Sequence, residues 1–238
     1  HKEDLHNFKG VIKAGLVAAP IILIVLKEDL GSAMVFAFIW ITMIFFAGIN
    51  YKVFAKFTGL FLISIPIAYQ FMASYQKERI EAFLHPGNLN LTGNYQVYES
   101  KTAIGSGGIF GKGLFHGTQK ELNFIPVQKS DFIFSVIGEE LGFVGGIVVI
   151  ALFATLLLRL TKIVRDAMDF YGALIVVGFI GMFGFQIFEN IAMTMGIMPV
   201  TGITLPFLSY GGSSILSSLL AIGIVLDVGV RSKGINFK

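Results

Sequence analysis

The chain has 238 residues, of which 55% are hydrophobic and only 14% are charged. A typical soluble domain carries about 25% charged residues, so this composition indicates an integral membrane protein and excludes a soluble enzyme. The net charge of +3 is too small to favour nucleic-acid binding, and the absence of cysteine excludes disulfides, thiol catalysis and cysteine-based zinc sites. The four histidines form no metal-binding pair, so we predict no metal site among the residues and no cofactor, apart from a divalent cation whose participation stays open.

Six apolar stretches are each long enough to cross a hydrocarbon core about 30 Å thick. Because an open sheet cannot satisfy its backbone hydrogen bonds in lipid, all six are predicted to be helices. The sequence therefore predicts an all-α, polytopic membrane helix bundle that forms a single domain over residues 1–238. The predicted spans are residues 11–26, 30–48, 53–74, 132–157, 172–196 and 204–229.

Lysine and arginine residues occupy alternate connections between these stretches. The positive-inside rule places those connections in the cytoplasm, so both ends of this chain are predicted to be cytoplasmic. The other connections, which include the long loop of residues 75–131, are predicted to face outward. The basic residues that set this orientation are Lys2, Lys9, Lys13, Lys52, Lys56, Arg159, Lys162, Arg165, Arg231, Lys233 and Lys238.

The outward loop is too long to be an idle tether, and its second half holds six glycines between residues 105 and 117. They fit no nucleotide motif: the P-loop spacing is absent, and the Rossmann pattern needs glycine where Phe110 stands. Two explanations stay open. The glycines let the loop turn tightly, or their exposed amides hold a phosphate together with Lys112. Irregular backbone at membrane depth is tolerated where it lines a cavity, so the loop predicts a cavity on the outer side.

Asp131 stands at the start of the fourth apolar stretch. A carboxylate in hydrocarbon costs about 2.5 to 3.5 kcal/mol on insertion scales, which makes Asp131 a candidate functional residue. Capping of the following helix is an equally good explanation at this point. Asp29 opens the second stretch in the same way, and for Asp29 the capping explanation is the stronger one.

The predicted spans also contain the polar residues Glu139, Glu140, Glu189 and Asn190. Glu139 and Glu140 fall on adjacent helix faces, so at least one of them points into the bundle. For these glutamates a structural ion pair with Arg79 or a loop lysine is favoured over a catalytic role. Glu189 and Asn190 are predicted to form hydrogen bonds between helices.

Several sequence blocks together resemble a known family. AIGSGGIFGKG, GTQ, FIPVQKSDFIFSVIGEELGFVG and MPVTGITLPFLSYGGSS follow one another in this order, after LKEDLGSA at residues 26–33. This series resembles the SEDS family of bacterial shape, elongation, division and sporulation proteins, and it is closer to the RodA-like elongation branch than to the FtsW division branch. The resemblance implies ten spans, of which this chain supplies the last six. The polar start at a histidine agrees with the expectation of a fragment.

The resemblance implies a peptidoglycan glycosyltransferase that polymerises lipid II into β-1,4 glycan strands for cell elongation, at the outer face of the bacterial cytoplasmic membrane. It also implies a class B penicillin-binding protein as partner, with other elongation-complex proteins. The alternative is a flippase for the lipid-linked precursor. A transporter needs functional polar groups near both membrane faces, whereas the unusual residues here cluster on the predicted outer side, which favours the enzyme.

The family's essential aspartate matches Asp131, and the implied role is that of a general base for the acceptor 4-hydroxyl. Displacement of an α-pyrophosphate to form a β link is an inversion, so no covalent enzyme intermediate is needed. Val127 stands where the family usually has an acidic residue, and we leave the participation of a divalent cation open. Basic residues are predicted to offset the pyrophosphate charge. The substrate-binding candidates are Lys112, Lys129, Arg79, Gln119, Asp29 and Glu139.

Overall fold

The computed structural model describes residues 8–117 and 130–232. Within these two ranges the chain forms eight α-helices and no β-strand, which confirms the predicted all-α class. The helices are α1 (Phe8–Glu28), α2 (Leu30–Phe46), α3 (Tyr51–Phe71), α4 (Ser74–Leu84), α5 (Thr92–Ser106), α6 (Ile133–Asp166), α7 (Phe170–Thr194) and α8 (Gly212–Ser232).

Short polar side chains separate the first three helices. Asp29 is the N-cap of α2, and its carboxylate accepts hydrogen bonds from the backbone amides of Gly31 (3.0 Å) and Ser32 (3.1 Å). These bonds satisfy amides that a helix N-terminus leaves unpaired. Asn50 caps α3 in the same way through the amide of Lys52. The capping role predicted for Asp29 is therefore confirmed.

The connection that the sequence predicts as an outward loop contains two helices, α4 and α5. The buried side chain of Gln76, in the first turn of α4, donates a 2.9 Å hydrogen bond to the carbonyl of Leu26. The hydroxyl of Tyr75 donates to the carbonyl of Glu28 at 3.2 Å. These two bonds fix the start of α4 to the end of α1, next to the cap at Asp29.

α7 packs against α2, α6 and α8 and is the central helix of the bundle. It approaches α2 closely because Gly181 has no side chain: a Cβ atom there would lie 2.1 Å from the hydroxyl oxygen of Thr42. Small residues permit such close helix contacts in membranes. The main buried apolar core is centred on α6, α7 and α8. It comprises Phe134, Phe153, Leu160, Val176, Phe183, Ile187, Leu205, Ala221 and Val225.

Each of the six predicted spans overlaps one of six helices, α1 to α3 and α6 to α8. Among the described residues, α1, α6, α7 and α8 are long and apolar enough to cross a membrane by their length and composition. α2 is a shorter apolar helix of 17 residues. The number of six spans therefore stays a prediction.

Candidate active site

Asp131 lies just before α6 and does not cap it. The N-cap of α6 is Phe132, which makes no side-chain capping bond. The carboxylate of Asp131 instead accepts a 2.7 Å hydrogen bond from the hydroxyl of Ser130. The interpretation of Asp131 as a helix cap is therefore wrong, and its carboxylate has no capping duty.

Two side chains hold the backbone at Asp131 in place. Asn190 of α7 is fully buried, and its amide nitrogen donates to the carbonyls of Asp131 and Ile203, both at 2.7 Å. The hydroxyl of Ser209 donates to the carbonyl of Ser130. Both bonds tie the start of α6 to the segment that connects α7 to α8. Asp131 is therefore placed by long-range contacts and not by its own helix.

Arg79 reaches the same connecting segment from α4. Its guanidinium donates a 2.8 Å hydrogen bond to the carbonyl of Thr201 and lies over the ring of Tyr75, 5.7 Å from the ring centre. The next residue is Gly202, where a Cβ atom would lie 3.4 Å from the carboxylate of Asp131. Arg79 and Asp131 therefore flank two consecutive residues of the α7–α8 segment.

Asp29, Arg79, Asp131 and Glu189 form one charged group, which we call the Asp131 cluster. Burial raises the pKa of Asp131 above its ordinary value. The hydrogen bond from Ser130 and the positive charge of Arg79 lower this pKa, whereas the negative charge of Asp29 raises it. Burial prevails, so the pKa is raised and the ionised carboxylate is a stronger base than an exposed aspartate.

Glu189 is fully buried near the end of α7. One carboxylate oxygen accepts a hydrogen bond from the hydroxyl of Thr201, and the other has no hydrogen-bond partner among the described residues. Glu189 lies within electrostatic range of Arg79 and Asp131. Glu189 is thus bonded to the α7–α8 segment, and Asn190 is bonded both to this segment and to the residue that precedes Phe132, the N-cap of α6.

A break in α6 lies opposite the glycine-rich segment. At Gly142 the backbone leaves the helical conformation, with φ 68° and ψ −163°. In an unbroken helix the amides of Phe143 and Val144 would donate to the carbonyls of Glu139 and Glu140. The break therefore leaves two amides and two carbonyls that need other partners.

Residues 108–113 supply all four missing partners. The carbonyls of Gly108 and Ile109 accept hydrogen bonds from the two freed amides at 2.9 and 3.1 Å, and the amides of Lys112 and Gly113 donate to the two freed carbonyls at 3.0 Å each. The glycine-rich segment thus completes the backbone hydrogen bonding of α6 across its break.

The close approach of the two backbones explains two of the glycines. A Cβ atom at Gly107 would lie 2.0 Å from the carbonyl oxygen of Gly138, and one at Gly111 would lie 2.2 Å from that of Glu140. Gly111 also has a positive φ of 78°, as the tight-turn explanation expects. A binding role of the loop amides stays a prediction.

Lys112 and Glu139 form a salt bridge of 2.7 Å. The side chain of Glu139 is 1% exposed and that of Lys112 is 27% exposed. The ion pair expected for one of the two glutamates is therefore present, and its partner is the loop lysine and not Arg79. The pair fixes the glycine-rich segment to the second turn of α6.

The predicted site residues fall into two places. Asp29, Arg79 and Asp131 come together in the Asp131 cluster. Lys112 and Glu139 lie where the glycine-rich segment meets α6. Two candidates lie outside the described residues, namely Gln119 and Lys129.

Three serine and threonine residues at this site were missed by reasoning from the sequence. Ser130, Thr201 and Ser209 each use a hydroxyl to hold the Asp131 region together. Hydroxyl side chains in connecting segments are common, so their presence alone carries little signal. Ser130 and Ser209 are 79 positions apart, and only the fold brings them into contact.

The sequence matches known proteins over nearly its whole length. A family model described as "Cell cycle protein", which covers FtsW, RodA and SpoVE, matches residues 2–234. Stage V sporulation protein E of Bacillus subtilis (strain 168) is 40% identical over 98% of this chain and 63% of its own length. Peptidoglycan glycosyltransferase MrdB of Escherichia coli (strain K12) is 36% identical over 92% of this chain and 59% of its own length.

A third relative extends the same picture. The probable peptidoglycan glycosyltransferase FtsW of Geobacter metallireducens is 38% identical over 92% of this chain and 58% of its own length. The chain thus spans about three fifths of the length of these curated relatives.

Two solved structures share the fold. A chain from a study of the structural coordination of polymerization and crosslinking by a peptidoglycan synthase complex superposes with a TM-score of 0.76, at 31% identity, over 93% of this chain and 62% of that one. The rod shape determining protein RodA of Thermus thermophilus superposes with a TM-score of 0.61, at 29% identity, over 93% of this chain and 56% of that one. With its long apolar helices, the protein is a multi-pass membrane protein. The chain belongs to the FtsW/RodA/SpoVE family of cell cycle proteins.

Proposed function

We propose that this chain carries the catalytic site of a peptidoglycan glycosyltransferase that polymerises lipid II into β-1,4 glycan strands. Two relatives bear the name of that activity. The observation that carries the proposal is the environment of Asp131. Its carboxylate is partly buried, has a raised pKa and no capping duty, and stands on a backbone anchored by Asn190.

In the proposed reaction Asp131 is the general base. It removes the proton of the acceptor 4-hydroxyl while that oxygen attacks the anomeric carbon of the donor sugar, and the lipid pyrophosphate leaves with the electron pair of the broken bond. The configuration inverts in this single displacement. A raised pKa favours the step, because a stronger base takes up the proton more readily, provided that Asp131 is ionised at the working pH.

Arg79 is the proposed partner of the leaving group. It is the cation that acts on Asp131, and an arginine can bind pyrophosphate oxygens through two parallel hydrogen bonds. One guanidinium nitrogen donates to Thr201, which orients the group. Lys112 is engaged by Glu139, and we place it second to Arg79 for this role. Lys129 and Gln119 remain proposed substrate-binding residues.

We propose that the reaction takes place at the outer face of the bacterial cytoplasmic membrane and serves cell elongation. Asp29, Arg79 and Asp131 fall on the predicted outer side, and the distribution of basic residues favours a cytoplasmic location for both ends of this chain. A class B penicillin-binding protein is the proposed partner and supplies transpeptidase activity, alongside other elongation-complex proteins. One of the structural relatives comes from a complex that couples polymerization to crosslinking.

The test is polymerisation of lipid II by the complete natural protein with its penicillin-binding partner, native against Asp131→Asn. Asparagine keeps the size of the side chain but removes its basicity. Asp169→Asn is a matched control, because Asp169 caps the opposite end of α7 through the amide of Gly172 and asparagine preserves a cap. We expect Asp131→Asn to lower the polymerisation rate at least about a hundredfold, as for loss of a general base. The control Asp169→Asn should keep the native rate.

Three outcomes separate the possibilities. Absence of glycan chains with the native protein contradicts the proposed activity. Polymerisation by Asp131→Asn at the native rate contradicts the role of Asp131 as base. Movement of labelled lipid II between leaflets, without polymerisation, would establish the flippase instead.

A further inference from the structure

A cavity adjoins the Asp131 cluster at Arg79, which lines it. This pocket has a volume of about 360 Å³ and is bounded by α4, α5 and residues 196–200. Apolar side chains such as Phe83 and Val97 line it together with the charged side chains of Glu78, Arg79 and Lys101. Its volume falls in the range of about 300 to 1,000 Å³ that is usual for small-ligand pockets.

The pocket adjoins the proposed catalytic residue. Val200 forms part of its wall, and the next two residues are Thr201, which accepts the hydrogen bond from Arg79, and Gly202, which faces Asp131. Consecutive residues advance the chain by at most about 3.6 Å, so the wall and the neighbour of Asp131 are separated by about 7 Å or less. The pocket wall and the residue that faces Asp131 therefore belong to one short stretch of the α7–α8 segment.

Two opposite charges in this pocket are available to a ligand. Glu78 and Lys101 both line it, and in the part of the chain that the structure describes neither side chain forms a salt bridge or a hydrogen bond. The two charges therefore do not neutralise each other. A ligand with one carboxylate and one ammonium group would complement both.

Gly196 leaves space beside the end of the Lys101 side chain. A Cβ atom at Gly196 would lie 2.5 Å from both the terminal carbon and the nitrogen of the Lys101 side chain. Gly196 also has a positive φ of 70°, which glycine adopts without strain. The backbone turn after α7 thus makes room for the ammonium group at the pocket wall.

We propose that this pocket binds the peptide of the glycosyl-transfer substrate, with Lys101 on a carboxylate and Glu78 on an ammonium group. The inference rests on the proposed function, since it takes its ligand from that substrate. A peptidoglycan precursor carries a peptide on its sugar, and a peptide destined for crosslinking presents an amine as well as carboxyl groups. The pocket then selects precursors with a complete peptide, while Asp131 acts on the sugar.

The experiment compares two substrates, each of which serves as both donor and acceptor. One is lipid II with its complete peptide, and the other is the same lipid-linked disaccharide without the peptide. The complete natural protein with its partner is assayed as native protein and as Lys101→Met and Glu78→Gln. The matched controls are Lys77→Met and Glu81→Gln, which remove the same charges from α4 outside the pocket lining. We measure kcat and KM of each protein on both substrates. The polymerisation rate of Asp131→Asn gives the background that is not due to the proposed base.

We expect the native protein to prefer the peptide-bearing substrate about a hundredfold in kcat/KM, which corresponds to two charge-assisted hydrogen bonds of about tenfold each. Lys101→Met and Glu78→Gln should each lower this preference about tenfold through a higher KM for the peptide-bearing substrate, with kcat and the peptide-free reaction unchanged. The controls should keep the native preference.

Equal use of both substrates by the native protein overturns the proposal. So does a loss in the pocket variants that is the same for both substrates, because a purely structural defect does not depend on the peptide. Failure of the proposed function looks different: no polymerisation above the Asp131→Asn background with either substrate.

Discussion

The side-chain amide of Asn190 lies 2.7 Å from the carbonyl oxygen of Asp131 and binds it across 59 positions of sequence. The same nitrogen binds the carbonyl of Ile203, also at 2.7 Å. One buried amide on α7 thereby joins the start of α6 to the α7–α8 segment. The proposed base is consequently positioned by its backbone, which leaves its carboxylate available for chemistry.

Asn190→Leu removes the amide nitrogen that donates to the carbonyls of Asp131 and Ile203. We expect a loss of about 2 to 4 kcal/mol in the free energy of unfolding, because each buried carbonyl left unsatisfied costs about 1 to 2 kcal/mol. Polymerisation per folded molecule should fall as well, since one of the two side-chain bonds that hold the backbone at Asp131 is lost. Thermal unfolding in detergent and lipid II polymerisation are the two measurements.

The control for this variant is Thr194→Val. Thr194 is also fully buried on α7, but its hydroxyl donates only within its own helix, to the carbonyl of Ile191. The Thr194→Val variant should retain polymerisation activity per folded molecule. If Asn190→Leu also kept full activity per folded molecule, the positioning role of Asn190 would be refuted.

Arg79→Met should move the acid side of the pH–rate profile to higher pH. A general base must be ionised, so activity is lost as pH falls through the pKa of Asp131. The positive charge of Arg79 lowers this pKa, and its removal raises it. The loss on acidification then begins at a higher pH than in the native protein. The pH dependence of kcat/KM measures the effect, and an unchanged midpoint would show that Arg79 does not act on the base.

Asp29→Asn should have the opposite effect. The negative charge of Asp29 raises the pKa of Asp131, so its removal lowers this pKa and extends activity to lower pH. Asparagine caps helices as well as aspartate does, so the stability should stay the same. Asp29→Ala provides the comparison: it should show the same pH shift together with a loss of about 1 kcal/mol from the missing cap. A shift toward higher pH in either variant would contradict the assigned sign.

Gly107→Ala and Gly105→Ala are two neighbouring substitutions with different expected outcomes. The added carbon at Gly107 would lie 2.0 Å from a backbone oxygen of α6, whereas nothing lies within 4 Å of one at Gly105. The first should cost about 3 kcal/mol of stability through overpacking. The second should be neutral or stabilise α5 by about 1 kcal/mol, since alanine favours a helix over glycine. The melting temperatures of the two variants measure this difference. Equal melting temperatures would contradict the close packing of Gly107 against the α6 backbone.

A double-mutant cycle on Lys112 and Glu139 distinguishes a structural pair from a pyrophosphate ligand. Lys112→Met removes the ammonium group that pairs with the buried carboxylate of Glu139. We expect a cost of about 2 to 4 kcal/mol, at the low end for a buried pair because Lys112 is partly exposed. Adding Glu139→Gln should restore most of this stability. If Lys112→Met left the melting temperature unchanged but abolished polymerisation, Lys112 would instead be a substrate ligand.

Prediction from the sequence succeeded where the signal is local. The apolar stretches indicated the helices, the aspartate before α2 indicated its cap, and the blocks around Asp131 indicated the family. Each of these signals depends on residues that are near one another in the chain. Of the two explanations left open for Asp131, helix capping was wrong, although the sequence pattern resembles that at Asp29. The reason is that α6 begins one residue later than this cap requires, at Ile133 with Phe132 as N-cap.

The sequence by itself determined the membrane class, the six helices that overlap the predicted spans and the family, because hydropathy and the order of motifs can be read along the chain. The tertiary structure alone decided which residues meet. Arg79 is 122 positions from the carbonyl that it binds at Thr201, and Lys112 is 27 positions from Glu139. The sequence likewise does not explain why glycines occur at residues 107 and 111. The structure explains them, because their segment packs against the backbone of α6 and completes its hydrogen bonds at the break. Such contacts depend on how helices pack against each other, and packing is a property of the whole bundle that no local stretch of sequence specifies.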